Sequence, residues 1–296
     1  MTDFLEQVVA ERRADAVAAR DATPEDSLLA GAHDNLWSRS ERDRSRINWT
    51  PALGDRDAFT AVLRTRRRDG HLAVIAEVKR VSPALGTLAS DVDPGRQAKR
   101  YAAAGATAIS VLTEPRHWGG SFDDLAAVRD AVGYGVPVLC KDIIVSEYQL
   151  AQARSAGADA VLLIAEALSD AELRRFVERA RELNMGALVE AHEVGAFGRA
   201  VACGGPLVGA NARDLRDPKS IDITRARQVH TFVRADQIFV AESGIETADD
   251  ARLLPARVDA VLVGTALMRA EDPATIIQAL ASIGRSATTR MTAVEG

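Results

Sequence analysis

Short apolar runs recur along the chain at Leu72–Val78, Ala108–Leu112, Val136–Leu139, Ala160–Ala165, Ala187–Val189, Leu207–Ala210, Ile238–Ala241 and Ala260–Val263, and each is followed by a segment with helical spacing. Near-continuous apolar strands alternating with helices predict a parallel sheet covered by helices, because such strands are buried on both faces. Several helices carry their own stop signal. In Ala104-Gly105-Ala106 and Ala156-Gly157-Ala158 the glycine can take the left-handed conformation that ends a helix. Eight strand–helix units fit a closed (β/α)8 TIM barrel better than an open doubly wound sheet. A dinucleotide-binding sheet would place a glycine-rich turn after its first strand, and here that turn carries Lys79, Ser82 and Pro83.

The residues before this beat differ. From Glu11 to Arg46 the chain is dense in Arg, Asp and Glu, with Leu28, Leu29, Leu36 and Trp37 as the main apolar points, which predicts one or two polar helices lying over something else. Ile47 to Pro51 reads as a connection and Asp57 to Arg68 as a short basic helix leading into the first strand. The expected organisation is an N-terminal helical extension over 1–69, the barrel over 70–285 and a tail over 286–296, one structural domain overall.

Composition narrows the function classes. With 47% hydrophobic and 27% charged residues the chain reads as a soluble globular protein. A net charge of -5 gives no electrostatic footprint for nucleic acid or an anionic membrane, so an anionic ligand must be held by local charges. Two cysteines, Cys140 and Cys203, make neither a disulfide framework nor a zinc site, and no His/Cys/Asp cluster has metal spacing. No apolar stretch approaches the roughly 20 residues that span a bilayer, and the acidic start is no secretory signal. A cytoplasmic protein is expected, acting on small molecules as a monomer or weak homodimer.

In such a barrel the chemistry lies at the C-terminal strand ends. The first run finishes with Glu77 and Lys79, two residues apart and therefore on one side of a strand. The next finish with Thr113-Glu114, Cys140-Lys141-Asp142, Ala165-Glu166, Glu190-Ala191-His192, Asn211-Ala212-Arg213-Asp214, Glu242-Ser243-Gly244 and Gly264-Thr265. Unpaired buried charges cost several kcal/mol, so polar groups on nearly every strand end of one rim point to a site. Lys79 and Lys141 facing Glu77 and Glu190 would push one another's pKa values apart, as acid–base chemistry requires. A lysine beside a carbonyl could equally form a Schiff base. Asn211 and Arg213 can bind a carboxylate, Arg213 through its planar fork. Ser243-Gly244 and Gly264-Thr265, each before a helical segment, let backbone N–H groups approach an anion, and barrels often hold a phosphate in those last two loops. His192 reads as a helix-start residue rather than a ligand.

Taken in order, Ala-Glu-Val-Lys-Arg-x-Ser-Pro, Val-Leu-Thr-Glu with Gly-Gly-Ser, Lys-Asp, Leu-Val-Glu-Ala-His, Asn-Ala-Arg-Asp-Leu, Ala-Glu-Ser-Gly-Ile and Val-Gly-Thr-Ala-Leu-Met closely resemble the indole-3-glycerol phosphate synthase family, from about residue 70 to 272. The resemblance implies a decarboxylating ring closure of 1-(2-carboxyphenylamino)-1-deoxyribulose 5-phosphate to indole-3-glycerol phosphate, in tryptophan biosynthesis, without a cofactor. It implies Lys141 as general acid, Glu190 as its acid/base partner in dehydration, and Glu77 holding the reacting amine and hydroxyl network. Lys79, Ser82, Asn211, Arg213 and Glu242 would position the substrate, and Ser243, Gly244, Gly264 and Thr265 would cradle its phosphate. The N-terminal segment matches the family's additional helix, which implies a helical extension over the barrel mouth.

The sequence departs from the family pattern at Ala84 and Leu85, at Cys140 and Ile143 where Arg and Phe are usual, at Glu166 where the family tends to be apolar, and at Trp118 where Phe is common. These changes are expected around the aromatic and rim side of the site, which admits a paralogue for a substituted aryl amine. Two other readings remain at this stage. Phosphoribosylanthranilate isomerase shares the barrel, but works with a cysteine where this chain has Glu77. A non-catalytic barrel binding a phosphorylated ligand is the other, and Lys141 and Glu190 argue against it.

Overall fold

The computed structural model describes residues 3–36, 57–82, 84–89 and 91–285. Trp37, the connection at Ile47–Pro51, Pro83 and the tail at 286–296 lie outside the described residues. Eight parallel strands close into a barrel: β1 (Ala73–Val78), β2 (Ala108–Leu112), β3 (Val138–Lys141), β4 (Ala160–Ile164), β5 (Gly186–Ala191), β6 (Leu207–Asn211), β7 (Ile238–Glu242) and β8 (Ala260–Val263). Each pairs with its sequence neighbour, and β1 closes the circle by pairing with both β2 (Ile75 beside Ala108) and β8 (Ala73 beside Ala260). All eight predicted strands are present, in order.

Their ends are displaced, for two reasons. β3 begins at Val138 rather than Val136, because Pro137 has no N–H to give the ladder; its carbonyl accepts from Ile109 N. At the other end β3, β5, β6 and β7 run past the apolar residues to include Lys141, Glu190, Asn211 and Glu242. The backbone stays paired there, Leu112 with Lys141, Ile164 with Glu190 and Asn211 with Glu242, while the barrel interior turns polar. Hydropathy marks where the interior changes, and pairing marks where the strand stops.

Helices α1 (Phe4–Ala22), α2 (Glu25–Leu36) and α3 (Ala58–Arg68) precede the barrel. Helices α4 (Pro94–Ala103), α5 (Phe122–Val132), α6 (Glu147–Ser155), α7 (Asp170–Glu182), α8 (Val194–Ala202), α9 (Arg225–Val229), α10 (Ala248–Arg252), α11 (Thr265–Arg269) and α12 (Pro273–Ala281) surround it. Short polar side chains start most of them. Asp57 accepts from Thr60 N, Ser121 from Asp124 N, and Ser169 forms a capping box with Glu172. Gly105 and Gly157 stand at φ 94° and 97°, the left-handed stops that their sequence context predicts. The apolar core fills the barrel interior and the layer between strands and helices, with Ile75, Ile109, Leu139, Phe197 and Phe239 fully buried. α1 starts earlier than the polar stretch suggests, at Phe4 behind an Asp3 cap, and α2 packs along α6. A two-residue hairpin after β1, Val81–Ser82 against Gly86–Thr87, has no counterpart in the sequence reading. Among the described residues no helix is long and apolar enough to cross a membrane.

Candidate active site

One cavity of about 400 Å³ opens at the C-terminal ends of the strands. All twelve candidate site residues from the sequence line it: Glu77, Lys79, Ser82, Lys141, Glu190, Asn211, Arg213, Glu242, Ser243, Gly244, Gly264 and Thr265. Lys141 is at its charged centre. Its Nζ donates to Glu190 Oε2 at 2.8 Å and to Glu242 Oε2 at 2.9 Å. Burial works against the ammonium, but Glu190, Glu242 and Glu77 outweigh it and hold Lys141 above the ordinary lysine range.

The two carboxyls beside Lys141 are driven apart. Burial raises Glu190, but Lys141, a hydrogen bond from Glu242 and one from Asn211 Nδ2 to Oε1 at 2.8 Å together hold it below the usual carboxylate range. Glu242 is pushed well above that range by burial and by the charge of Glu190. The site therefore brings two carboxyls of unlike proton affinity into contact with one ammonium, a combination suited to giving and taking protons within one turnover. A second pair lies opposite, Lys79 Nζ to Glu77 Oε1 at 2.8 Å, with Glu77 Oε2 buried and without a hydrogen-bond partner. Glu242 Oε1 is likewise buried and without a hydrogen-bond partner.

Two glycines make room for these acids. A Cβ on Gly264 would lie 2.3 Å from Glu77 Oε1, and one on Gly209 would lie 2.3 Å from Glu242 Oε1. Gly264 thus serves the acid side of the cavity as well as the loop where the sequence places it. Ser243 and Gly244 both take positive φ, 64° and 72°, a conformation costly for Ser243 that turns the chain sharply at the end of β7. The apolar wall includes Leu112, Ile143, Leu162 and Ile164, with Trp118 and Leu85 nearer the opening. Asn211 is fully committed: besides Glu190, its Oδ1 accepts from Arg213 N at 2.9 Å. Arg213 donates to Pro218 O within its own loop, and burial lowers its pKa against the pull of Glu77.

Not every strand-end polar group enters the cavity as a reacting group. Glu114 accepts from the backbone N–H groups of Arg116, His117 and Trp118 and shapes the loop that carries Trp118. Asp142 borders the cavity but is committed elsewhere, accepting from Arg12 Nε at 3.0 Å, Arg12 Nη2 at 2.8 Å and Thr113 Oγ1 at 2.8 Å. Two departures from the family pattern are also relocated. Cys140 faces outward and touches Thr113 Oγ1, and Glu166 accepts from His192 N and Glu193 N behind the rim, so neither borders the cavity. Ala84, Leu85, Ile143 and Trp118 do border it.

The helical extension expected over the barrel mouth is tied to the site through α1, by pairs the sequence does not signal. Besides Arg12 to Asp142, Asp15 pairs with Arg116 and Glu11 with His117 Nε2 at 2.7 Å, while Phe4 packs on His117 and Trp118. These are long-range contacts with no local signal.

A sequence model of the family "Indole-3-glycerol phosphate synthase" matches residues 39–280. Among curated relatives, the indole-3-glycerol phosphate synthase of a Nocardioides species is 49% identical over 249 residues, spanning 84% of this chain and 94% of that protein. The indole-3-glycerol phosphate synthase of Laribacter hongkongensis is 39% identical over 276 residues, spanning 92% and 97%. Among solved structures, 3-hexulose-6-phosphate synthase superposes with a TM-score of 0.56 at 16% identity, covering 71% of this chain and 99% of that one. A tryptophan synthase chain from M. tuberculosis gives a TM-score of 0.56 at 15% identity, covering 76% and 98%, a likeness of fold alone.

Proposed function

The chain belongs to the indole-3-glycerol phosphate synthase family, and on that premise we propose how its cavity carries out the reaction. The enzyme is a decarboxylating lyase of tryptophan biosynthesis: it closes 1-(2-carboxyphenylamino)-1-deoxyribulose 5-phosphate to indole-3-glycerol phosphate, releasing carbon dioxide and water. Protonated Lys141 gives its proton to the ribulose carbonyl oxygen as the aromatic ring carbon attacks the carbonyl carbon. The ring becomes cationic, and the electrons of the breaking carboxylate bond neutralise it as carbon dioxide leaves. Glu190, ionised beside Lys141, takes up the proton that departs during dehydration, while the leaving hydroxyl is protonated within the same cluster. Glu77 holds the amine and hydroxyl network, with Lys79 near the substrate's negative charges.

Ser82, Asn211, Arg213 and Glu242 position the substrate, Asn211 through its grip on Glu190. The phosphate lies in the turns of Ser243, Gly244, Gly264 and Thr265. We place the aryl ring against Leu112, Ile143, Leu162, Ile164 and Trp118, and the chain in the cytoplasm, as a monomer or weak homodimer whose N-terminal helices form one unit with the barrel. The observation that carries this reading is Lys141 in contact with both Glu190 and Glu242 at the floor of a cavity of about 400 Å³.

The test is ultraviolet absorbance. The indole chromophore is expected to form from the unsubstituted substrate with ordinary efficiency, and ring-substituted substrates are expected to do no better. A marked preference for a substituted ring would overturn the assignment to the plain anthranilate derivative. The protonation states give a further expected result. Because Glu190 is held below the ordinary glutamate value of about 4.3, kcat should persist below that pH as acid is added. Asn211→Ala removes one hydrogen bond that stabilises the ionised form, so its acid limb should lie at higher pH. Coincident acid limbs in rate–pH profiles of the two proteins would contradict this.

A further inference from the structure

His192 takes no part in the reaction above, yet its surroundings are those of a tie between two strand ends. Its side chain is 1% exposed, with Nδ1 3.4 Å from Glu166 Oε2 and Nε2 3.4 Å from Asp214 Oδ1. Both ring nitrogens and Glu166 Oε2 are buried without a hydrogen bond. An imidazole can serve as donor to carboxylates on both sides only when each nitrogen carries a proton. Buried polar atoms left in this state are costly, so an apolar residue would be the simpler occupant if the position only filled space.

The neighbouring contacts join into a circuit. Glu166, at the end of β4, accepts through Oε1 from the backbone N–H of His192 at 2.9 Å and of Glu193 at 3.0 Å. Asp214 also accepts from Arg216, whose other nitrogen pairs with Glu193 Oε1 at 2.6 Å, and Arg199 of α8 donates to Ala165 O and Leu168 O behind Glu166. Asp214 is the residue after Arg213. The N–H of Arg213 donates to Asn211 Oδ1, and Asn211 donates in turn to Glu190, two residues before His192 on the chain. The path from Glu190 through Asn211, Arg213 and Asp214 returns to its own strand at His192.

We propose that His192 is a positioning residue of this enzyme: standing between Glu166 and Asp214, it holds the loop after β6, and with it Arg213, at its place in the cavity. Strand β5 is fixed by pairing on both sides, whereas the loop that carries Arg213, Leu215, Pro218 and Lys219 into the cavity leaves the barrel ladder after Ala212 and is held by its own turns, by buried Leu215, by the Arg216–Glu193 pair and by the contact with His192. Loss of the tie therefore displaces the loop rather than Glu190. Glu166, just past the end of β4, gives the second side of the clamp.

The inference rests on the reaction assigned above, and steady-state kinetics with the unsubstituted substrate separate the two. A parent enzyme that forms no indole rejects the assigned reaction. With an active parent, His192→Ala and Asp214→Ala should each raise KM about tenfold with a much smaller change in kcat, the signature of a misplaced binding loop. The double variant should be no worse than either single one, because both break the same tie. Asp214 lies on the accessible side, so Asp214→Ala tests the tie even if His192→Ala fails to fold. An unchanged KM in Asp214→Ala, or effects that multiply in the double variant, would overturn the proposal.

Discussion

Replacing Lys141 by alanine is expected to abolish indole formation, lowering kcat about 10²–10⁴-fold, the share that a positioned proton donor supplies. The ammonium touches both Glu190 and Glu242, whereas Lys79 is held by Glu77 at 2.8 Å. Electrostatics extend the effect. Without Lys141 the strongest of the attractions that keep Glu190 ionised is gone, and burial then raises the carboxyl that should accept a proton later in the turnover. One substitution thus damages two steps. The fold should survive, because Glu242 already sits far above the usual range and the pair can share a proton. Rapid-quench or absorbance measurements decide, and residual activity within tenfold of the parent would remove Lys141 from its role.

The second large effect is expected at a residue that does not itself line the cavity. Arg12→Ala should destabilise the protein by roughly 3–5 kcal/mol, the usual cost of leaving one half of a buried ion pair uncompensated. Arg12 reaches from α1 to Asp142 with two hydrogen bonds, and the side chain of Asp142 is fully buried. Once Arg12 is gone, only Thr113 Oγ1 and Ile143 N remain to meet that carboxylate. Adding Asp142→Asn should recover part of the loss, since an amide in that place carries no charge to strand. Denaturant unfolding of the single and double variants measures both. Equal stabilities for Arg12→Ala and the parent would show that α1 merely rests on the barrel. Because Asp142 follows Lys141 directly, kcat should fall alongside stability.

The strands were legible because each is buried on both faces and so is written as an apolar run with nothing to interrupt it. Their polar ends were not, since hydropathy falls at Lys141, Glu190, Asn211 and Glu242 while backbone pairing continues. The cavity residues were legible for a related reason: ionisable groups at the ends of otherwise apolar runs stand out. What alternation could have added is the separation of Lys141 from Cys140, which a two-residue period sends outward when Lys141 points in. The contacts of Arg12 and Glu166, and the hairpin at Val81–Thr87, had no such signal. The partners of Arg12 and Glu166 are 130 and 26 residues away, and the hairpin is two residues to a side, too short to show a period.

Gly209 and Gly264 have a consequence for how such a barrel can be rebuilt. Gly209 stands on β6 and the acid occupying its missing methyl, Glu242, stands on β7; Gly264 follows β8 and its acid, Glu77, stands on β1. In both cases notch and key come from neighbouring strand units, not from one. In chimaeras assembled from relatives, the exchangeable unit is a strand pair, β6 with β7 or β8 with β1, and a crossover placed between the members of a pair risks matching an acid to a filled notch.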